Sequence, residues 1–569
     1  MMAGNDTSVL KVTAGLVLAG LLLFGASFND PFHFDDSLIV NDTNVTNPER
    51  WHHFLNPLHL RQLTFFSFYL NHLVSGTNPA GYHIVNVGLH IANAALLFLL
   101  LRRILDHRIA VVAASLFLVH PIQTEPVLYV YQRSVLLACF FSLAALLAFQ
   151  SRRQWLALLF FICAFESKES SMAVLFLLGL RGLKPADYKV RAEGAATRWG
   201  YLLLAILFGV AALALLSYRN EGTVGIGVTG KVTPIQYLLT QTRVIYTYLR
   251  LLVFPYAQSL EYDFPLIDTF SLRVLGQFAG LIGLVGVGFA LNRYEKWRTT
   301  GLSILAFFVL LAPTSSFIPS ADFAFEHRLY LPMMAFAVFA AALILRLKGS
   351  TFVTAAILVT LSVVTLQRGT VWSSDIALWE DATQKAPNKA RAWFNLGGAS
   401  LHSDPARAQL AYDRALRLQP GMPEALYNLG VIQQNKGNSM EAVRYYELAL
   451  DGNAEYWPAW NNLGNTLFAL GEKERALSAF ENTLRLNPDH WPSQYNIAIV
   501  HYTSSRFEKA IPRLRTVLEW RPEYQDARYL LAVCLSKAGQ PIEAEREWQI
   551  LRSNAGQPPM PAPMQAPTP

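Results

Sequence analysis

The chain has 569 residues, 53% of them hydrophobic and only 15% charged, with a formal net charge of +7; soluble domains carry about a quarter charged residues. That balance excludes an ordinary soluble globule, and its unevenness divides the chain between two solvents: residues 9–367 are dominated by apolar runs, while the sequence after Trp372 has soluble helical character. No Lys/Arg run interleaved with aromatic residues stands on a soluble module, which argues against a nucleic-acid partner, and three cysteines (Cys139, Cys163, Cys534) in apolar or repeat positions suggest no disulfide or metal framework.

In chain order, the first apolar run, 9–28, is long enough to span a bilayer. It has no small-residue cleavage site before Asn29, so it reads as a retained helix and not as a signal peptide. Further runs follow at 82–101, 109–120, 132–150, 154–165, 170–181, 199–217, 236–253, 273–291, 302–318, 331–346 and 352–367. The basic clusters Arg102/Arg103/Arg108, Arg152/Arg153, Arg181/Lys184/Lys189/Arg191/Arg198, Arg293/Lys296/Arg298 and Arg346/Lys348 are expected on the cytoplasmic side. Strict alternation satisfies them through the seventh run and then requires 218–272 to cross an even number of times. The run 236–253 carries Gln241, Arg243 and Arg250, which are costly against lipid. It is therefore expected to be re-entrant or to lie along the outer interface. Eleven spans remain, with the N-terminus inside and 29–81, 320–330 and everything after Arg368 outside.

Ionisable groups in such segments are functional suspects because each costs several kcal/mol without a partner or cavity. Phe32-His33-Phe34-Asp35-Asp36 follows the first helix at once. Its paired carboxylates suit a general base, a substrate hydrogen-bond acceptor, a metal ligand or a helix cap. His83, Asn86, His90 and Asn93 fall on one face of the second helix. That stripe lines a polar cavity or, alternatively, hydrogen-bonds helix to helix. His120-Pro121-Ile122-Gln123-Thr124-Glu125, Glu166-Ser167-Lys168-Glu169 and Glu326-His327-Arg328-Leu329-Tyr330 bring further charge to the same side. These point to one site at the outer membrane boundary, with His83, Asn86, His90, His120, Glu125, Glu166, Glu169 and Glu326 lining it. Arg61, Lys168, Arg243 and Arg328 would suit a lipid-linked phosphate, since Arg binds such oxygens bidentately. A divalent ion held by Asp35, Asp36, Glu125 and His120 is a possible addition, but no cofactor or metal is expected to be required.

After Trp372, Gly430, Gly464, Ala498 and Ala532 recur every 34 residues, the tetratricopeptide period. Each small residue sits where two helices approach closely, with Ala442, Ala476, Ala510 and Ala544 in the matching place on the second helix. Pro420, Pro488 and Pro522 close repeats. An earlier repeat around Trp393, Leu396 and Gly397 is one residue short, and Asp375–Pro387 reads as a leading half-repeat. Such arrays form a concave groove for an extended peptide or protein surface, or else a spacer or scaffold. Asn428, Asn461, Asn462 and Asn496 are the candidate acceptor contacts in it. The expected organisation is all-α: a membrane domain over 1–371, repeats over 372–553 and a disordered Pro-rich tail over 554–569.

The motif set resembles a known family. Phe34-Asp35-Asp36, Asn78-Pro79…Gly81-Tyr82-His83…Asn86…His90, His120-Pro121…Thr124-Glu125, Ser167-Lys168-Glu169, Ala312-Pro313…Ile318-Pro319 and Arg328-Leu329-Tyr330-Leu331-Pro332 occur in this order. Together with the repeats they look like the transmembrane and tetratricopeptide-repeat-containing O-mannosyltransferases, within the GT-C superfamily, whose hallmark is the acidic pair after the first helix. The chain departs from that pattern at Arg61-Gln62-Leu63, where the family commonly has Arg-Pro-Leu. The resemblance implies a polyprenyl-phosphate sugar donor, inversion at the sugar carbon and a Ser or Thr acceptor on an exported protein.

The expected function is therefore an inverting glycosyltransferase, with Asp36 slightly preferred over Asp35 as the base. A non-catalytic scaffold and a GT-C enzyme acting on a glycan or lipid are the rival readings. A bacterial inner membrane with the repeats in the periplasm is expected, the alternative being the endoplasmic reticulum. Expected partners are the lipid-linked sugar, an exported protein and membrane lipids.

Overall fold

A computed structural model describes residues 3–56, 61–179, 232–316, 318–320 and 322–554. The apolar run 199–217, the end of 170–181, the basic cluster Arg181–Arg198 and the Pro-rich tail after Asn554 lie outside them. Among the described residues every regular element is helical. The chain forms two compact units, Met1–Pro387 and Asn388–Pro569. The division expected after 371 falls instead after Pro387: the half-repeat helix Asp375–Lys385 belongs to the first unit.

In the first unit, α1 (Ala3–Phe24) leads into a short helix α2 (Asp36–Asn41) and then α3 (Gln62–Ser75). α4 (Pro79–Leu101) starts where Asn78 accepts the Ala80 amide and Pro79 takes the first helical position, which needs no N–H. α5 (His107–Val119) is bent by 53° from the short helix ending at Leu128. Pro121 cannot supply the missing hydrogen bond there, and His120 Nδ1 accepts the Ile122 amide instead. Next come α6 (Arg133–Gln150), α7 (Gln154–Ser167), α8 (Pro234–Val253) and α9 (Leu272–Asn292). The unit ends with α10 (Arg298–Leu311), α11 (Tyr330–Ile344), α12 (Ser350–Val371) and α13 (Asp375–Lys385). α9 and α10 meet backbone to backbone: a Cβ on Gly301 would stand 2.6 Å from the Gly288 carbonyl oxygen.

Six described helices are long and apolar enough to cross a membrane: Thr7–Asn29, Pro79–Leu101, Val130–Gln150, Leu272–Asn292, Glu326–Ile344 and Ser350–Val371. The bent pair around Pro121 makes a seventh if it is one broken span. The count of eleven is not reached among the described residues. Gln154–Ser167 and Arg298–Leu311 are only 14 residues long, and the run 199–217 and the end of 170–181 lie outside the described part. α8 is not among the six. It starts with a Thr233/Gln236 capping box and buries a polar stripe including Tyr237, Thr240, Gln241 and Tyr248.

The second unit consists of five helix pairs, from Ala390–Ser400 with Pro405–Leu418 to Gln525–Lys537 with Pro541–Asn554. Here the period has its expected cause. A Cβ on Gly397, Gly430 or Gly464 would lie 2.5–2.6 Å from the ring of Tyr412, Tyr446 or Phe480 on the paired helix. Ala442, Ala476 and Ala510 are fully buried opposite.

Candidate active site

The acid pair sits on a strained bend. Phe34 adopts φ +49°, a left-handed conformation uncommon for a residue other than glycine. Asp36 then opens α2, 0% exposed. Its Oδ2 accepts the amides of His33 (3.0 Å) and Val130 (3.3 Å), and its Oδ1 accepts that of Tyr131 (2.7 Å). Burial pushes this carboxyl up to about 7, against the pull of the three amides and of His33. Asp35 is half-buried and stands beside Tyr129, whose hydroxyl takes the Asp35 amide at 3.3 Å and also bonds its carboxylate. Against the preference for Asp36 as the base stands its burial: both of its oxygens are committed to tying the first loop to the stretch before α6, and of the pair only Asp35 reaches solvent.

Four of the expected charged groups gather. Arg61, also left-handed at φ +60°, binds Glu169 bidentately, Nε to Oε2 at 3.1 Å and Nη2 to Oε1 at 2.7 Å. Desolvation works to raise the Glu169 pKa, but Arg61 and Lys168 hold it down at about 2. Lys168 is 9% exposed and donates to Gln132 Oε1 at 3.3 Å. Burial, then the charges of Arg61 and Arg328, push its ammonium down to about 7. One hydrogen bond among the described residues leaves two of its three donors for a ligand. Tyr131 lies within electrostatic reach of both Arg61 and Asp35.

Arg328 is close to Lys168 but is used otherwise. Its guanidinium donates to Tyr237 Oη, the carbonyls of Thr314, Phe323 and Asp322, and Ser320 Oγ, at 2.8–3.2 Å. It organises its own loop rather than presenting donors to a phosphate. Arg243 is exposed on α8, and Glu166 is half-buried near Cys163. Glu125 accepts the Glu326 amide (2.9 Å) and His327 Nδ1 (2.6 Å), while Glu326 accepts from Gln258, Ser259 and Tyr262. These two carboxylates knit loops together.

Among the described residues the polar stripe of α4 lines no cavity. His83, Asn86, His90 and Asn93 are all 0% exposed. His90 donates to the Leu118 carbonyl and meets Tyr330 Oη at 2.8 Å; Asn93 donates to that same hydroxyl and to the Leu136 carbonyl; Asn86 bonds the Val127 carbonyl and Arg133. This is helix-to-helix bonding. His83 is the exception, its ring against the Asp30 and Pro31 carbonyls without a well-formed hydrogen bond. His120 likewise donates to the Leu252 carbonyl and caps its own turn. Asp35, Asp36, Glu125 and His120 do not converge, and no group of three or more His, Cys, Asp or Glu among the described residues could hold a metal ion.

Sequence reasoning missed Arg133, Tyr129, Tyr131 and Gln132. Arg133 is fully buried at the head of α6, bonded to Asn86 Oδ1, Asn71 Oδ1 and the Tyr82 carbonyl, with its guanidinium 4.5 Å from the Phe68 ring centre. A charged residue opening an apolar run was the available signal. In the repeats, Asn462 donates to Tyr427 Oη, Asn461 accepts from Ser493 and Asn496 donates to Asn465. These asparagines bind repeat to repeat; Asn428 is half-buried.

Apolar spanning helices with one polar end, followed by stacked helix pairs, define a polytopic membrane protein carrying tetratricopeptide repeats. Tetratricopeptide repeat models match residues 402–458, 457–490 and 501–559. Over about two thirds of its length the chain is similar to the protein O-mannosyl-transferases. TMTC3 of Mus musculus is 28% identical over 436 residues, 68% of this chain and 47% of that protein. TMTC4 of Homo sapiens is 27% identical over 469 residues, 68% and 63% respectively. Tmtc1 of Drosophila melanogaster is 39% identical over 128 residues, 21% and 15% respectively. The chain spans about half the length of the first of these curated relatives.

Proposed function

We propose that the protein is an inverting glycosyltransferase that moves a hexose, mannose by analogy with its relatives, from a polyprenyl-phosphate donor to a Ser or Thr hydroxyl of an exported protein. The observation that carries this reading is the coexistence of a solvent-reaching carboxylate and a buried, under-bonded ammonium, with Tyr131 within electrostatic reach of Asp35 and Arg61, and Arg61 of Lys168. Asp35 takes the hydroxyl proton as the acceptor oxygen bonds to the anomeric carbon. The bond from that carbon to the phosphate oxygen breaks on the opposite face, and the polyprenyl phosphate departs with the electron pair. Lys168 meets the growing charge, with Arg61 beside it. Binding of a phosphate favours the charged form of Lys168. The reaction needs no divalent ion in this reading, and transfer after chelation should be unchanged. The site faces the periplasm of a bacterial inner membrane, on the side to which the repeats are exported.

The test is transfer of labelled mannose from a polyprenyl-phosphate donor by purified protein in lipid nanodiscs. Wild type should transfer and Asp35→Asn should not, with both variants bound equally to the donor. Equal rates would end the assignment of Asp35. One observation favours the scaffold reading: the α4 stripe only packs helices, as a scaffold requires. A scaffold, however, has no use for the open donors of Lys168. Absence of transfer to any acceptor, together with full function in Lys168→Ala, would select it.

A further inference from the structure

The His33 ring is 0% exposed and lies between two oxygens. Nε2 is 2.6 Å from the Trp372 carbonyl, which has no proton to give. Nδ1 is 2.7 Å from Oδ1 of Asp375, a carboxylate oxygen on a side chain 43% exposed. A neutral imidazole offers one N–H and one lone pair. It can satisfy either oxygen but not both, because its lone pair would then point at the other. Two donors require the imidazolium.

We propose that His33 is a doubly protonated clamp, donating from both ring nitrogens to fasten the acid-pair loop to the segment that leaves the last apolar helix, and that it is thereby a positioning residue for Asp35. The inference rests on the reading of Asp35 as the base for its functional half only. Three further contacts make the position consequential. The His33 amide holds Asp36 Oδ2 at 3.0 Å. Phe34, one residue on, is kept in its left-handed bend by packing on Tyr129 at 6.2 Å and on Trp379 of α13 at 5.4 Å between ring centres. Trp372 sets its ring edge-on to the imidazole at 5.9 Å. Asp35 therefore inherits its place from a bend fastened on one side by the clamp and on the other by α13.

The titratable groups facing the ring are Asp375 from α13, Asp36 and Asp30 from its own loop, and His83 from α4. Burial works to lower the His33 pKa, but the Asp375 hydrogen bond and charge, then the Asp36 charge, hold it above the ordinary histidine value. Loss of the second proton in alkaline solution frees one of the two tethers, and the bend is then held by the remaining one, the Asp36 contact and packing.

Two readouts on the full chain in nanodiscs test this. The first is exchange of the histidine Cε1 hydrogen for deuterium, read peptide by peptide by mass spectrometry across pH, which reports the proton affinity of His33 without any enzymatic activity. The midpoint should lie above the ordinary 6.5. It should fall about tenfold in proton affinity in Asp375→Asn, which keeps an acceptor oxygen and removes only the charge. A midpoint at or below 6.5, or one unmoved by Asp375→Asn, overturns the clamp. The second is the pH profile of the transfer rate at saturating lipid donor, where the Lys168 requirement for donor binding is met: its alkaline limb should shift to lower pH in Asp375→Asn with KM for the lipid donor unchanged. A limb that stays put while the exchange midpoint moves overturns the positioning role. Failure of wild type to transfer at any pH would refute the glycosyltransferase reading, and the exchange measurement would still decide the proton count.

Discussion

The membrane unit contains two sets of costly polar side chains, and they are built on different plans. Along α4, Asn86, His90 and Asn93 bond carbonyls and hydroxyls of neighbouring helices, wholly out of water. At the helix ends, Asp35 reaches solvent and Lys168 keeps two donors over. A buried group with its partners supplied by the fold contributes architecture. One whose bonding capacity is left open can serve chemistry. Helical spacing cannot separate the two plans, since both place polar residues on one face.

The sharpest way to break this contrast is Asp35→Asn. It should lower transfer roughly 10²–10⁴-fold, the usual worth of a general base, while leaving the thermal midpoint in nanodiscs unchanged; retained activity would erase the distinction. Arg133→Met tests the opposite plan. It orphans the buried oxygens of Asn86 and Asn71, at about 1–3 kcal/mol for each, so thermal unfolding should move sharply and any loss of activity should follow the loss of folded protein. Lys168 sharpens the comparison through pH. Its unfolded value is about 10.4 and its folded value about 7. Between these the unfolded chain keeps a proton that the folded chain has shed, so stability rises with pH across that window. Donor binding needs the ammonium and should weaken up to about tenfold per pH unit above 7 with net proton uptake, a slope that Lys168→Met abolishes; calorimetry in two buffers of different ionisation enthalpy measures it. The smallest effect is expected from Asn462→Ala, which removes the bond to Tyr427 and should destabilise the repeats by about 0.5–1.5 kcal/mol without changing KM for a protein acceptor.

The legible parts of this chain were those whose cause is local. Gly430 and Gly464 announce themselves because the ring each must clear lies 16 residues later, at Tyr446 and Phe480, inside one repeat. Lys168 and Glu169 stand out as charges beside an apolar run. What could not be read is who answers them: Arg61 meets Glu169 across 108 residues, and Asp36 is claimed by amides 94 and 95 residues away. Asp35 and Asp36 are chemically identical in sequence, and only those distant amides tell them apart. Arg133 was passed over because it opens a run otherwise fit for lipid, and its aromatic and amide partners come from two other stretches of chain, α3 and α4. The half-repeat helix α13 reads as repeat by composition, but His33 and Phe34 draw it to the membrane unit.

Arg328 has a consequence for how this protein can change over generations. Three of its five acceptors are main-chain carbonyls, at Thr314, Asp322 and Phe323, which any amino acid would supply. Positions 314, 322 and 323 are therefore tolerant of drift in spelling, unlike Ser320 with its hydroxyl acceptor, and the stretch is intolerant of drift in length, because an inserted or deleted residue moves the carbonyls away from the fork. Lysine, with three donors on a point charge, cannot replace that fork. A change that substitution tables score as mild should thus be among the least accepted here.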